Sequence, residues 1–449
     1  MSWVLLLFAL TSALLTYNVY RPVHFDHRLA ALSFTGGWLT GELALHSIAL
    51  QAIITSLLVV GNAYQGWQGR AGLLLLVGSW LALAADYVRS MRASTVVDRA
   101  LAAGLGPGYL EGIQDDQKAK FAGGTRWRSI LHPLRIRLPE VERLQDVCYA
   151  TVRNVDLRLD VYRHRSHPAR SPTLVQIHGG AWVIGTKDHQ ALPLMNHMAA
   201  RGWTCISVGY RLSPAATFPE HLMDVKLALR WIRENGQRYG ANPDFIVVTG
   251  GSAGGHLAAL VALTANEPEF QTGFEEVDTS VRGCVSFYGV YDFTNRHGQL
   301  RHQGLPRVLE RWVMKSSLEE IPDEYRKASP VDWVRPEAPP FFVLHGERDT
   351  LAPAEDARLF VNALREKASA PIVYAEIPGA QHAFDLCHTP RSQAAIDGVE
   401  RFLACLYSRY LASLEAIEEP KAAVSGIAAG TRAGTAPSPR VAVNTSAEP

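Results

Sequence analysis

Gly250-Gly251-Ser252-Ala253-Gly254 sets one serine among glycines, after the apolar run DFIVVTG and before a second apolar run that begins near residue 255. A strand, a tight turn and a helix are the context of the G-x-S-x-G nucleophile elbow, in which small flanking residues let the turn close and the hydroxyl project above the sheet. The N-terminal end of the helix that follows adds a positive dipole end beneath it. A plain glycine-rich turn or a phosphate loop is the other use of such a run. A phosphate loop requires G-K-[ST], and no lysine stands here.

A serine hydroxyl attacks well only when a base takes its proton, and the base needs an orienting acid. In this architecture they follow in the order serine, acid, histidine. FFVLHGERDTLAP supplies Asp349 just after a predicted strand, and VYAEIPGAQHAF supplies His382 in the loop after the next. Glu347 and Glu355 are rivals for the acid, and His388 for the base. The developing oxyanion needs N–H donors. His178-Gly179-Gly180-Ala181-Trp182 follows another strand and matches an HGGG-type loop, so Gly179, Gly180 and the Ala253 N–H are the expected donors. His178 is read as bracing that loop. His24, His27 and His256 are read as structural.

These groups need a frame that brings separated loops to one edge. From Asp146 onward short β-rich runs alternate with helical ones, the pattern of a mostly parallel sheet with helices on both faces. In such sheets sites form at the carboxyl ends of the strands. Residues 294–339 read as a helical cap insertion, with residues 93–145 as a helical connector that contributes to it. A last helix is expected over about 392–410. Residues 416–449, rich in Ala, Gly, Pro and Ser, are expected to be disordered. The Asn444-Thr445-Ser446 acceptor pattern in that tail is too common to carry weight.

HGGAW, GYRLSPAATFPEHLMDVKLALRWI, GGSAGGHLAAL, HGERDTLAP and PGAQHAF together resemble the hormone-sensitive-lipase-like branch of the α/β-hydrolase fold, over about residues 146–410. The resemblance implies a carboxylic ester hydrolase without metal or organic cofactor. It departs at Gly251, where the family commonly carries aspartate in G-D-S-A-G-G. A deacetylase or amidase acting on small substrates would use the same three residues. A tethered scaffold on a dead hydrolase fold would predict a broken triad.

The remaining residues argue for a membrane. Residues 1–20 carry no charge, and further apolar stretches cover about 43–64 and 71–88, the last with Asp86 near its end. Each approaches the ~20 residues that cross a hydrocarbon core. An N-terminal bundle of about three transmembrane helices, spanning residues 1–92, is therefore expected before an α/β-hydrolase domain at 146–415. The apolar residues 29–41 blur the count. A signal peptide would want a basic start, which is missing. Arginines 21, 28, 89, 92 and 99 place the catalytic part on the cytoplasmic side. Lipophilic esters are then the expected substrates. A transporter lacks a pathway. With 44 Lys+Arg against 43 Asp+Glu, no surface for nucleic acid is advertised. Five dispersed cysteines suggest neither disulfides nor zinc.

Overall fold

The computed structural model describes residues 1–24, 26–121, 126–300 and 304–430. The tail beyond 430, with its acceptor pattern, lies outside them, as does the His27 side chain.

The N-terminal helices are α1 (Ser2–Tyr20), α2 (His27–Glu42), α3 (Ala44–Val60), α4 (Gly66–Ser90) and α5 (Ala93–Leu105), followed by the short α6 (Asp115–Lys118) and α7 (Trp127–Leu131). Two stretches, Ser2–Tyr20 and Gly66–Leu105, are long and apolar enough to cross a membrane, judged by length and composition. The pair α2 and α3 qualifies only jointly and is bent by 87°. Contacts give the directions. Trp3 meets Trp67 at 5.8 Å between ring centroids, and the Tyr20 hydroxyl donates to the Ala82 carbonyl at 2.7 Å, so α1 and α4 run parallel. Gly61 lies beside Met1, and Trp80 Nε1 donates to Gln51 Oε1 at 3.1 Å, so α3 returns antiparallel. Residues 29–41, which blurred the count of spans, are helical. They form α2, which lies across the end of α1, with Asn18 Nδ2 donating to the Ser33 carbonyl at 2.7 Å. A β-carbon on Gly36 or Gly37 would sit 3.1 Å from Leu15 or Asn18, so glycine permits this close crossing.

Eight strands form one sheet: β1 (Val141–Val152), β2 (Val155–His164), β3 (Ser171–Ile177), β4 (Thr204–Val208), β5 (Ala241–Gly251), β6 (Gly283–Phe287), β7 (Phe341–Gly346) and β8 (Ile372–Ile377). Their order is β1-β2-β4-β3-β5-β6-β7-β8. β1 and β2 pair antiparallel, as do β2 and β4, and the pairs from β4 to β8 are parallel. Every residue of β3, β4, β6 and β7 is buried, and these strands carry no Asp, Glu, Lys or Arg, as expected of strands covered on both faces. The covering helices are α8 (Leu192–Ala200), α9 (Glu220–Asn235), α10 (Ala253–Leu263), α11 (Gly304–Val308), α12 (Pro322–Lys327), α13 (Ala354–Lys367) and α14 (Pro390–Gly430).

Three segments differ from expectation. α5 belongs to the layer that covers the sheet, not to a connector, because Val97, Leu101 and Leu105 form an apolar stripe buried with Val373, Ala375 and Phe402. α14 continues to Gly430, past the point where disorder was expected. The insertion at 294–339 holds α11, a π-helical turn at Leu309–Val313, α12 and a 3-10 turn at Pro330–Trp333. It packs against α10 through His256, whose Nε2 lies 2.7 Å from the Ala328 carbonyl.

Asp356 at the start of α13 pins the base of that insertion. Its carboxylate accepts the Tyr291 N–H at 2.7 Å and Gln299 Nε2 at 3.2 Å. Burial, helped by nearby Asp292, pushes its pKa up to about 7 against the Tyr291 hydrogen bond and His345. A carboxyl raised in the folded state adds stability below its unfolded pKa of about 4 and loses it as pH climbs to about 7. Asp356→Asn removes that titration. Its Tm relative to the parent should therefore rise between pH 5 and pH 8, by the equivalent of roughly 2 kcal/mol; a pH-independent difference would contradict the account.

Candidate active site

β5 ends at Gly251, and Ser252 turns the chain directly into α10. Ser252 sits at φ 58° and ψ −123°, a conformation that side chains rarely adopt. Backbone contacts hold it: its N–H donates to the Phe287 carbonyl at 3.0 Å, and its carbonyl accepts from His256 N–H at 3.0 Å. Glycine is required around it. A β-carbon on Gly250 would strike the Gly254 carbonyl, and one on Gly254 would strike Ile177. The serine itself remains partly exposed.

The loops after β7 and β8 carry the candidate acid and the candidate base. Asp349 Oδ2 lies 2.6 Å from His382 Nδ1, and Asp349 Oδ1 accepts the N–H groups of Leu351 at 2.9 Å and Ala352 at 2.8 Å. Burial alone would raise this carboxyl. His382 and His345 outweigh it, so the Asp349 carboxyl is held well below the ordinary range and stays ionised. With Asp349 on Nδ1, Nε2 of His382 is the nitrogen left for proton transfer. Gln381 Oε1 ties the two loops together, accepting from Thr350 N–H at 2.7 Å and His382 N–H at 3.0 Å. The rival acids are engaged elsewhere: Glu347 pairs with Arg89 at 2.8 Å and Glu355 lies 3.9 Å from Arg358, while the backbone N–H of His388 donates to the Pro133 carbonyl.

β3 delivers the glycine loop. A β-carbon on Gly179 would stand 3.0 Å from the Ser252 β-carbon, so the loop passes directly beside the serine. The Gly179 N–H, one of the expected donors, is turned to Gln190 Oε1 at 2.6 Å. Gly180 and Ala181 turn through φ values of 118° and 53°, and among the described residues no acceptor meets their N–H groups or that of Ala253. Ala181 thus replaces Gly179 among the candidate donors. His178 stacks on Tyr210 at 4.4 Å, accepts the Tyr210 hydroxyl on its carbonyl at 2.9 Å, and is pushed by burial to a pKa of about 4. A neutral imidazole held this way stiffens the loop. Trp182 Nε1 donates to His256 Nδ1 at 3.1 Å, so the loop is also fixed to α10.

The family model described as BD-FAE matches residues 159–364. The probable carboxylic ester hydrolase LipM of Mycobacterium tuberculosis (strain ATCC 25618 / H37Rv) is 39% identical over 91% of this chain and 95% of its own. The chain belongs to this family of hormone-sensitive-lipase-like carboxylic ester hydrolases. Esterase LipQ of the same organism is 38% identical over 84% of this chain and 86% of its own. Because β1 begins only at Val141, the 91% match takes in N-terminal helices as well as the sheet. A solved truncated form of a carbohydrate esterase from gut microbiota is 22% identical, covers 59% of this chain and 99% of its own, and superposes with a TM-score of 0.51, a likeness of fold.

The hydrolase also explains its own departure at Gly251. A β-carbon there would meet the Tyr288 hydroxyl at 2.8 Å and the ring at 2.9 Å. Tyr288 is buried, hydrogen-bonds Asp385, and lies 4.6 Å from the His382 ring. Tyr288 and Asp385 therefore fill the space that a longer elbow side chain would take. Neither residue drew notice in the sequence, where HAFD and FYGV carry no spacing signal. Gly251→Asp should destabilise the hydrolase by about 1–3 kcal/mol through overpacking. Tyr288→Ala should recover part of that loss in the double variant, measured as non-additive shifts in Tm. Additive losses would mean that the two positions do not compete for space.

Proposed function

We propose that this carboxylic ester hydrolase is a membrane-anchored serine esterase that cleaves lipophilic short- to medium-chain acyl esters through Ser252, His382 and Asp349. The observation that carries the reading is the 2.6 Å bond from a buried, ionised Asp349 to His382 Nδ1, at the same sheet edge as the partly exposed Ser252. His382 accepts the Ser252 proton as Oγ attacks the ester carbonyl. The oxyanion is met by the N–H groups of Gly180, Ala181 and Ala253, aided by the α10 dipole. His382 then protonates the departing alcohol, and a water deprotonated by the same imidazole releases the acid from the acyl-enzyme. Asp349 keeps the imidazole in the right tautomer and stabilises the imidazolium.

The anchor is residues 1–92, with α1, α3 and α4 crossing and α2 lying in the interface. α3 has 17 residues, enough for about 26 Å, close to the ~30 Å of a hydrocarbon core. The basic residues after α4 put the catalytic part, with its 294–339 cap, on the cytoplasmic side. α2 supports lipophilic substrates. Its Leu32 is 69% exposed and its Leu39 48%, an apolar face on the N-terminal helix that reaches the His382 loop.

Detergent-purified protein should hydrolyse p-nitrophenyl esters, with an optimum between acetate and decanoate. Ser252→Ala should abolish both turnover and fluorophosphonate labelling. Asp349→Asn should keep the fold and lose about 10⁴-fold in kcat, as expected when the tautomer is wrong. Full turnover in Ser252→Ala would exclude this mechanism, and a palmitate optimum would make the enzyme a lipase.

A further inference from the structure

One N-terminal helix reaches the loop of the candidate base. Trp38 of α2 donates its indole N–H to the carbonyl of Ala383, 2.8 Å away and one residue past His382. Phe34, one turn earlier, meets the His382 imidazole edge-on, with ring centroids 6.0 Å apart at 80°. Between them Gly37 lies against Gln381, the residue that ties the Asp349 loop to the His382 loop. One turn before Phe34, the Ala30 carbonyl accepts the Thr350 hydroxyl at 3.3 Å. Residues 30, 34, 37 and 38 recur at helical spacing, so one face of α2 touches both loops. The exposed Leu32, Thr35 and Leu39 lie on the other.

The loop needs such support. Ala383 sits at φ 57°, outside the region that a residue with a β-carbon favours, and such turns persist only where their surroundings hold them. The β8 ladder ends at Ile377, five residues before the histidine. The contacts of α2 come from outside the sheet, on the side of the loop that the strands leave unsupported.

We propose that α2 is a positioning element of the active site. Trp38 fixes the strained turn after the catalytic base, and Phe34 sets the face of the imidazole, so that Nε2 is aimed at Ser252. The N-terminal helices then act in catalysis as well as in anchoring. The inference rests on His382 being the base of the proposed mechanism. Its chemistry is orientation alone: no bond is made by α2, and a misaligned imidazole simply fails to reach the hydroxyl proton at the moment of attack.

The test uses the full chain in detergent. Trp38→Phe keeps the aromatic bulk and removes the donor; Phe34→Leu keeps apolar volume and removes the edge. With p-nitrophenyl butyrate, Trp38→Phe should lower kcat about tenfold, in line with the cost of small misalignments, while KM stays within about twofold. The rate of fluorophosphonate reaction with Ser252 should fall by about the same factor, counted per labelled site so that misfolded molecules do not contribute. Phe34→Leu should show a smaller loss of the same kind. The double variant should lose less than the product, because both act through one histidine. Thr35→Ala, on the exposed face, should retain parental kcat. If Trp38→Phe and Phe34→Leu both keep parental kcat and labelling rate, or if only KM moves, α2 is no positioning element. Should Trp38→Phe fail to fold, Phe34→Leu decides alone. Ser252→Ala run alongside separates the two readings. Persistent turnover there removes the serine mechanism itself, whereas a dead Ser252→Ala beside an unaffected Trp38→Phe removes only the role of α2.

Discussion

The backbone conformation of Ser252 is the constraint on which the site depends. A non-glycine residue at φ 58° and ψ −123° costs about 1–3 kcal/mol, and the surrounding structure has to impose it. It is imposed by close backbone packing. β5 enters between β3 and β6, α10 leaves at once with all eleven residues buried, and glycines at 250 and 254 let the two backbones touch. The same close approach brings the Gly179 loop against the Ser252 β-carbon. One strained residue therefore fixes three things together: a partly exposed serine, a helix end beneath it and a set of N–H groups beside it.

A second group of interactions sets where the N-terminal helices sit. Arg391, 1% exposed, pairs with Asp86 at 2.8 Å and Glu42 at 3.3 Å, while Arg348 donates to the Val19 carbonyl at 2.6 Å. Thr389 donates to the other oxygen of Glu42 at 3.1 Å. Buried ion pairs contribute little net stability, because desolvation offsets their attraction. Removing one partner, however, leaves a charge that cannot be satisfied. Their effect is on register: α2 and α4 each place a carboxylate on Arg391 and α1 places a carbonyl on Arg348, so sliding any of the three would break a buried contact. That exactness matters because α2 meets the histidine loop.

Much of this was legible in the sequence, for identifiable reasons. The strand–turn–helix around Ser252 has a fixed local pattern, and the order serine, acid, histidine follows from which strand each loop terminates. The parallel sheet showed in short strand-like runs that alternate with helical ones. What was not legible depended on contacts between segments far apart in the chain. Gly179 seemed as good a donor as Gly180 until Gln190, eleven residues on, was seen to take its N–H. Tyr288 and Asp385 are 97 residues apart, and Trp38 and Ala383 are 345 apart, so no spacing rule joins them. α5 was misassigned because its four-residue stripe says that it packs, not against what.

Asp86 joins these threads. In the sequence it is a flaw near the end of an apolar helix, the residue that makes a span least clean. In the fold it is fully buried, bonded to Arg391 in the first turn of α14, which itself donates to the Pro378 carbonyl at 2.9 Å. Pro378 opens the loop that leads to His382. A carboxylate at the end of an apolar helix is costly unless its partner is fixed, and here the partner is anchored to the loop that carries His382. The charge that interrupts the apolar helix is thus what ties that helix to the His382 loop. Helix and loop are held in one register by the same pair, so neither can shift without leaving a buried charge without its partner.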